Sequence, residues 1–137
     1  MERFEFVIEG PAVSLRAKKS KAKRYQKWIK KVRAAAREQW PETMLPIESK
    51  AITVAITNYY TLAPPDVDNI IKPILDGLET VVYSNDQQVR RVISEKLDRS
   101  HFDRIEDFGA LLTTALENYS EVLHIMVTWN PEGQSYG

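Results

Sequence analysis

Four segments of the chain alternate apolar and polar residues, which is the pattern of a β-strand that buries one face. In the second segment, Ile52, Val54 and Ile56 fall on the same face. This alternation argues against a parallel sheet covered on both sides, because strands in such a sheet are nearly continuous apolar runs. The predicted strands are residues 3–9, 51–60, 88–97 and 121–129.

Three segments between these strands repeat apolar residues at the spacing of an amphipathic helix. The first carries an apolar stripe that includes Trp28 and Trp40, and it stops before a proline. The second contains Pro73, which a helix tolerates only in its first turn. Either Asp68 or Asn69 is suited to cap that helix. The predicted helices are residues 24–40, about 69–78, and 103–117.

The order of these elements is β-α-β-α-β-α-β, and residues 14–23 are predicted to form a loop. Because helices and strands alternate, the pattern indicates an α+β fold with a mixed or antiparallel sheet and helices packed on it. A chain of 137 residues suits a single domain, residues 1–137, with a core of ordinary size. The hydrophobic content of 43% supports a globular protein.

The composition excludes several classes of protein. The chain has no cysteine, so disulfides, thiolate metal sites and a cysteine nucleophile are ruled out. No apolar run approaches the length needed to cross a membrane, and the first residues lack a secretory signal. A cytoplasmic location without membrane contact is therefore expected.

The formal net charge of zero hides an uneven distribution. Every charged residue in 16–37 is Lys or Arg, whereas residues 95–121 are acidic on balance. The local field rather than the total charge attracts DNA, so a basic segment can bind phosphates in a neutral chain. Flexible basic side chains can contact the DNA phosphates without a fixed geometry. The predicted DNA-binding residues are Lys18, Lys19, Lys21, Lys23 and Arg24.

Residues 64–89 hold the most unusual cluster of charges. Asp66 and Asp68 follow two prolines, Lys72 comes four residues later, and Asp76 four residues after that. Neighbouring carboxylates repel one another unless a cation lies between them. Oxygen ligands of this kind suit Mg²⁺, with Mn²⁺ as an alternative. An Asp-X-Asp pair also arises by chance, and acidic residues collect at helix N-termini for electrostatic reasons alone.

The complete pattern resembles a known signature. It consists of Asp66-Val67-Asp68-Asn69, then Lys72, then Asp76-Gly77-Leu78, then Asp86-Gln87-Gln88-Val89. In order and spacing it is similar to the motif of the RusA-type Holliday-junction resolvases, which runs D-x-D-N-x-x-K, a D-A-L-like segment, and D-D-x-Q-V. This resemblance implies a homodimeric, Mg²⁺-dependent endonuclease that cuts branched DNA.

By motif position, the resemblance assigns roles to individual residues. Asp66, Asp68 and Asp86 would be catalytic and bind the metal, and Lys72 would be the catalytic lysine. Asn69, Asp76 and Gln88 would support them.

The chain departs from the motif at three positions. Asn85 stands where the family often has Asp, Pro65 where some members are basic, and Gly77 where Ala is usual. None of these changes removes one of the three central acids or the lysine.

Other chemistries have weaker support. His101 and His124 are far from the acidic motif and from each other in sequence, and no phosphate-binding glycine loop is present. The alternative to a nuclease is a non-catalytic DNA- or protein-binding module of the same fold. In that case the acids would serve as a helix cap and an ion-pair network. Asn85 is the motif change that favours this alternative.

Overall fold

The computed structural model describes residues 1–101 and 109–132. Apart from one additional four-residue helix, the order of elements is the predicted one. The strands are β1 (Glu2–Glu9), β2 (Ile52–Tyr60), β3 (Val89–Asp98) and β4 (Val122–Trp129). The helices are α1 (Ala17–Ser20), α2 (Ala22–Gln39), α3 (Ile71–Leu78) and α4 (Gly109–Asn118).

The four strands form one sheet in the order β1-β4-β2-β3. β4 is antiparallel to both of its neighbours, β1 and β2, while β2 and β3 run parallel. The sheet is therefore mixed, and the predicted α+β fold is confirmed. The parallel pair requires a long connection between β2 and β3, and this connection contains the whole acidic motif.

The main core lies between one face of the sheet and the helices α2 and α3. The apolar stripe of α2 packs there, and Trp28 and Trp40 are both buried. α2 and α3 approach closely at Gly77, where a Cβ atom would lie 2.5 Å from Cγ1 of Val32. The sheet residues of this core include Phe6, Ile8, Ile52, Val54, Ile56, Ile125 and Val127.

A smaller apolar cluster lies around α4. Leu112 and Leu116 of α4 pack with Tyr59 and Val122, and Val7 lies against them. Val7 alternates with the buried core residues of β1, so α4 covers part of the opposite face of the sheet. None of the helices in the described ranges is long and apolar enough to cross a membrane.

Two local predictions were wrong in detail. The predicted loop at residues 14–23 contains α1 and the start of α2. The predicted cap of α3 at Asp68 or Asn69 is replaced by Ile70, whose side chain makes no capping hydrogen bond. Asn69 is instead part of a turn, since its N–H donates to the carbonyl of Asp66 at 3.0 Å.

The helix predicted at residues 103–117 falls partly outside the described residues. Its visible part, α4, begins at Gly109 and ends at Asn118, one residue beyond the prediction. Residues 102–108 and 133–137 lie outside the described part of the chain. The predictions for the start of this helix and for the tail fall in those ranges.

Candidate nuclease site

The chain must reverse its course after β2. Because β2 and β3 are parallel, the end of β2 and the start of β3 lie at opposite ends of their shared ladder. Two hydrogen bonds fix the returning segment. The Ser94 hydroxyl of β3 donates to the Val67 carbonyl at 2.7 Å. The backbone N–H of Leu15 donates to the Asn69 carbonyl, also at 2.7 Å.

α3 then carries the segment towards the start of β3. Pro73 is the third residue of α3, so it lies in the first turn as predicted, and its side chain is buried. The preceding residue, Lys72, points outwards with 49% of its side chain exposed. The first turn of α3 therefore buries its proline and presents its lysine to solvent.

Lys72 connects two carboxylates that are distant in sequence. Its ammonium donates to Asp76 Oδ1 at 2.8 Å and to Asp86 Oδ2 at 3.3 Å. The hydrogen bond with Asp76 is the main cause that raises the pKa of Lys72, and Asp86 adds to it. Lys72 therefore stays charged at neutral pH, so a fixed cation lies beside Asp86.

Asp86 is held in position by its neighbours. It begins a short 3₁₀ turn, Asp86–Gln88, and its backbone N–H donates to Glu79 Oε2 at 2.8 Å. The side chain of Asn85 caps this turn by accepting from the N–H of Gln87 at 2.8 Å. An aspartate could accept the same hydrogen bond, so the change from Asp to Asn preserves the cap.

Gln88 has a structural role beneath the turn. It is 3% exposed and its side-chain amide makes four hydrogen bonds. Its Oε1 accepts from the Ser84 hydroxyl and from the backbone of Asn85, each at 2.9 Å. Its Nε2 donates to the carbonyls of Ile47 and Lys50, each at 3.1 Å. Gln88 therefore ties the turn that carries Asp86 to the segment before β2.

Asp76 is supported from α2 by Arg33, a residue that the motif did not indicate, and Tyr25 of the same helix lies near its charge. Arg33 Nη2 donates to the Asp76 carbonyl at 2.7 Å. The hydroxyl of Tyr25, on the same helix, is buried and has no hydrogen-bond partner in the described structure. Burial and the nearby Asp76 charge raise the pKa of Tyr25. The spacing of α2 marks Tyr25 as a core residue, but no sequence signal places its hydroxyl near this cluster.

Asp66 and Asp68 lie in the exposed returning segment. Neither side chain forms a hydrogen bond or ion pair with another described residue. In residues 1–101 and 109–132, no three acidic or histidine side chains are grouped so that they could hold a metal ion. The donor set still suits Mg²⁺ chemically, because all three predicted ligands are accessible carboxylates. The ligand assignment stays a prediction.

The predicted DNA-binding residues surround the start of α2. All five are exposed: Lys18 and Lys19 on α1, Lys21 between the two helices, and Lys23 and Arg24 in the first turn of α2. The hydrogen bond from Leu15 to Asn69 joins this basic segment to the acidic one. The contact explains how charges of opposite sign, far apart in sequence, share one region of the surface.

His124 lies away from this cluster. Its Nε2 is 2.9 Å from Oε2 of Glu5, on the neighbouring strand β1. His101 is exposed and lies 3.4 Å from Asp98. Both histidines contact carboxylates outside the acidic motif.

A comparison with protein families reveals a relationship. Residues 11–106 match the family model described as endodeoxyribonuclease RusA. The match includes the basic segment, the acidic motif and strands β2 and β3. No curated protein matches the chain.

Proposed function

Because the chain belongs to the RusA endodeoxyribonuclease family, we propose that it is a Mg²⁺-dependent endonuclease that cuts four-way DNA junctions. The observation that carries the proposal is the contact between Lys72 and Asp86. It brings the motif lysine to a motif carboxylate that follows fourteen residues later in sequence. In a hydrolytic site such a cation stabilises negative charge beside the acidic ligands. The ion-pair network of a non-catalytic module would contain the same contact, so Mg²⁺-dependent cleavage is the measurement that separates the two functions.

Asp66, Asp68 and Asp86 would hold the metal ion. When bound, Mg²⁺ supplies a Lewis acid for the scissile phosphate and lowers the pKa of a nearby water. Asp86 has one oxygen on Lys72, and its other oxygen makes no hydrogen bond with the described residues. Asp66 and Asp68 keep their oxygens accessible to solvent. These carboxylates would also orient the attacking water.

Lys72 would act on the charge that develops during cleavage. Its ammonium is held by Asp76, and about half of its side chain is exposed, so a phosphate oxygen could approach it. A positioned cation stabilises a transition state more than it stabilises the ground state, since the negative charge grows as the bond breaks. Asp76 and Arg33 would keep α3 and its lysine in register with Asp86.

The working unit would be a homodimer. One acidic cluster cuts one strand, whereas resolution of a four-way junction needs two cuts related by a two-fold axis. A two-fold dimer presents two identical sites with this symmetry. It would also double the basic segment, which compensates for a net charge of zero.

The decisive experiment measures cleavage of matched DNA substrates. Four-way junctions, forks, flaps and linear duplex of the same sequence are incubated with the protein in Mg²⁺ or in chelator. Junction cleavage that requires Mg²⁺ supports the proposal. Binding without cleavage in either condition would favour the non-catalytic module. Lys72→Ala should lose cleavage but still bind Mg²⁺ in calorimetry, because the lysine is not a ligand.

A cruciform plasmid tests the paired sites. Mixed dimers of wild-type and Asp68→Asn chains should nick one strand and yield open circles, whereas wild-type dimers should yield linear DNA. Sedimentation of the same preparations reports the oligomeric state. A monomer that still produces linear plasmid would contradict the paired mechanism.

A further inference from the structure

An open groove lies beside the acidic segment. It has a volume of about 550 Å³ and runs between residues 11–17 and residues 62–65. This volume is within the range of sites that bind small ligands, roughly 300 to 1,000 Å³. Lys72, Asp76 and Asp86 are absent from its described lining, so the groove is separate from the ion-pair cluster.

One wall of the groove is apolar and exposed. Leu62 has 76% of its surface accessible, and Pro64 and Pro65 continue the wall towards Asp66. A single exposed leucine is ordinary on a protein surface. Leu62 is notable for its position, because it lines a groove that ends immediately before a predicted catalytic carboxylate.

The opposite wall is basic. Arg16, Lys21 and Arg24 line it, and all three are exposed. Glu121 is the acidic residue among the described lining, and its Oε2 accepts from the Thr61 hydroxyl at 3.5 Å. The groove therefore combines an apolar surface with an excess of positive charge.

The groove and the acidic segment are connected by the backbone. Leu15 lies in the segment that forms one wall, and its N–H donates to the Asn69 carbonyl at 2.7 Å. The other wall continues through Pro65 directly into Asp66. A ligand in the groove is therefore positioned relative to the chain that carries Asp66 and Asp68.

We propose that this groove binds an unstacked nucleotide of the strand to be cut, with the base against Leu62 and the prolines. The neighbouring phosphates would pair with Arg16, Lys21 and Arg24. Duplex DNA presents its phosphates to a protein but keeps its bases stacked inside, so only an unpaired base can use the apolar wall. The groove would thus favour branched DNA over duplex. The inference rests on the proposed nuclease function.

Fluorescence of 2-aminopurine tests this contact directly. The probe replaces single bases on either side of the branch point of a four-way junction, and chelator is present so that no strand is cut. Wild-type protein should raise the emission at one or two positions, because an unstacked probe is less quenched. Leu62→Ser should reduce this rise by more than about half. The matched control is Leu45→Ser, which changes a leucine that is 83% exposed outside the groove.

Affinity measurements separate the two walls. Leu62→Ser should weaken binding to junctions by about fivefold and leave binding to duplex unchanged. Arg24→Gln should weaken both and lower the salt dependence, since it removes a charge that neutralises a phosphate. The control Lys30→Gln, on the same helix but outside the groove, should have a smaller effect.

Several results would overturn the inference. In the 2-aminopurine assay, these are an emission that does not rise at any position and an equal rise with Leu62→Ser and with wild type. In sedimentation, a change of mass caused by Leu62→Ser would assign the groove to a second copy of the chain. Cleavage in Mg²⁺ is scored separately. If wild type cuts junctions but Leu62→Ser gives the same emission as wild type, only the proposed role of the groove is refuted. If the emission depends on Leu62 but wild type does not cut, only the proposed nuclease activity is refuted.

Discussion

The two halves of the acidic motif differ in how the protein holds them. Residues 72–88 are tied together by side-chain contacts, since Lys72 bonds Asp76 and Asp86, and Glu79 bonds the backbone of Asp86. Residues 64–69 are held through two carbonyls, and their two carboxylates face solvent. In residues 72–88 the charged side chains are held by contacts with one another. In residues 64–69 the backbone is held, but the two carboxylates are not.

This difference has an electrostatic explanation. Asp86 already has a cation beside it, so its charge is partly balanced. Asp66 and Asp68 have no positive partner among the described side chains, so a bound cation would be their first counter-charge. The exposed half is therefore the part of the site where a metal ion would change the energy most.

The largest expected effect comes from removing single carboxylate charges. Asp66→Asn, Asp68→Asn and Asp86→Asn should each reduce cleavage by at least about 100-fold while junction binding is kept or tightened. The free energy of unfolding should distinguish Asp86→Asn from the other two variants. Asp86→Asn should lower the free energy of unfolding by up to about 1 kcal/mol, because its ion pair with Lys72 is removed. Asp66→Asn and Asp68→Asn should stay within about 0.5 kcal/mol of wild type.

Cleavage assays and urea unfolding of the same variants check this prediction. Glu48→Gln is the matched control, because Glu48 is an exposed carboxylate outside the motif. Near wild-type cutting by any of the three Asp→Asn variants would remove that residue from the ligand set.

The next effect concerns how the basic segment binds DNA near Asp66 and Asp68. Changing Lys18, Lys19, Lys21 and Lys23 together to Gln should weaken binding to every DNA shape by at least about tenfold at low salt. The plot of log affinity against log salt should become shallower, by up to about 0.9 for each phosphate that the protein no longer neutralises. Unchanged affinity and slope would place the DNA surface elsewhere on the protein.

A third prediction tests the packing of α3 against α2, beneath residues 72–88. Gly77→Ala places a Cβ 2.5 Å from Cγ1 of Val32, and it should cost about 1–3 kcal/mol of stability. It should also lower cleavage, because a shift of α3 moves Lys72. Adding Val32→Ala removes the 2.5 Å contact with Cγ1 but keeps Val32 Cβ, which lies 2.8 Å from the new atom. The double variant should therefore recover part of the lost stability and be more stable than the sum of the single effects. Strict additivity would show that the contact between the helices is not the cause.

The smallest effect compares two buried tyrosines. Tyr83 is fully buried and its hydroxyl donates to the Leu75 carbonyl at 2.8 Å, whereas the hydroxyl of Tyr25 has no described partner. Tyr83→Phe should lose about 1 kcal/mol of stability, and Tyr25→Phe should gain up to about 1 kcal/mol. Thermal unfolding at one pH measures both. A loss for Tyr25→Phe would indicate that its hydroxyl does have a partner.

Much of the fold is predictable because its signals are local. The alternation in residues 51–60 predicts a strand, and β2 is found at Ile52–Tyr60. The apolar stripe of residues 24–40 predicts the helix found at Ala22–Gln39. Pro73 lies in the first turn of α3, where its missing N–H is tolerated.

The failures have two causes: an element too short to show a period, and tertiary contacts that outweigh local preference. α1 has four residues, too few to show helical periodicity. Asn69 does not cap α3, because its N–H closes a turn with Asp66 and its carbonyl accepts from Leu15. The motif predicts which side chains form the site, and that assignment stays a prediction. It did not predict that Lys72 lies between Asp76 and Asp86, because that contact depends on the path from α3 to β3.

The position of β4 has a consequence for assembly. β4 is the last strand in sequence but an inner strand of the sheet, with β1 on one side and β2 on the other. During synthesis on the ribosome, β1 is made first and has no strand to pair with until β4 emerges. The unit from β2 to β3, which carries the acidic motif, can pair its own strands earlier. Completion of the sheet therefore depends on sequence-distant pairing, which is the slow step expected for a fold with such contacts.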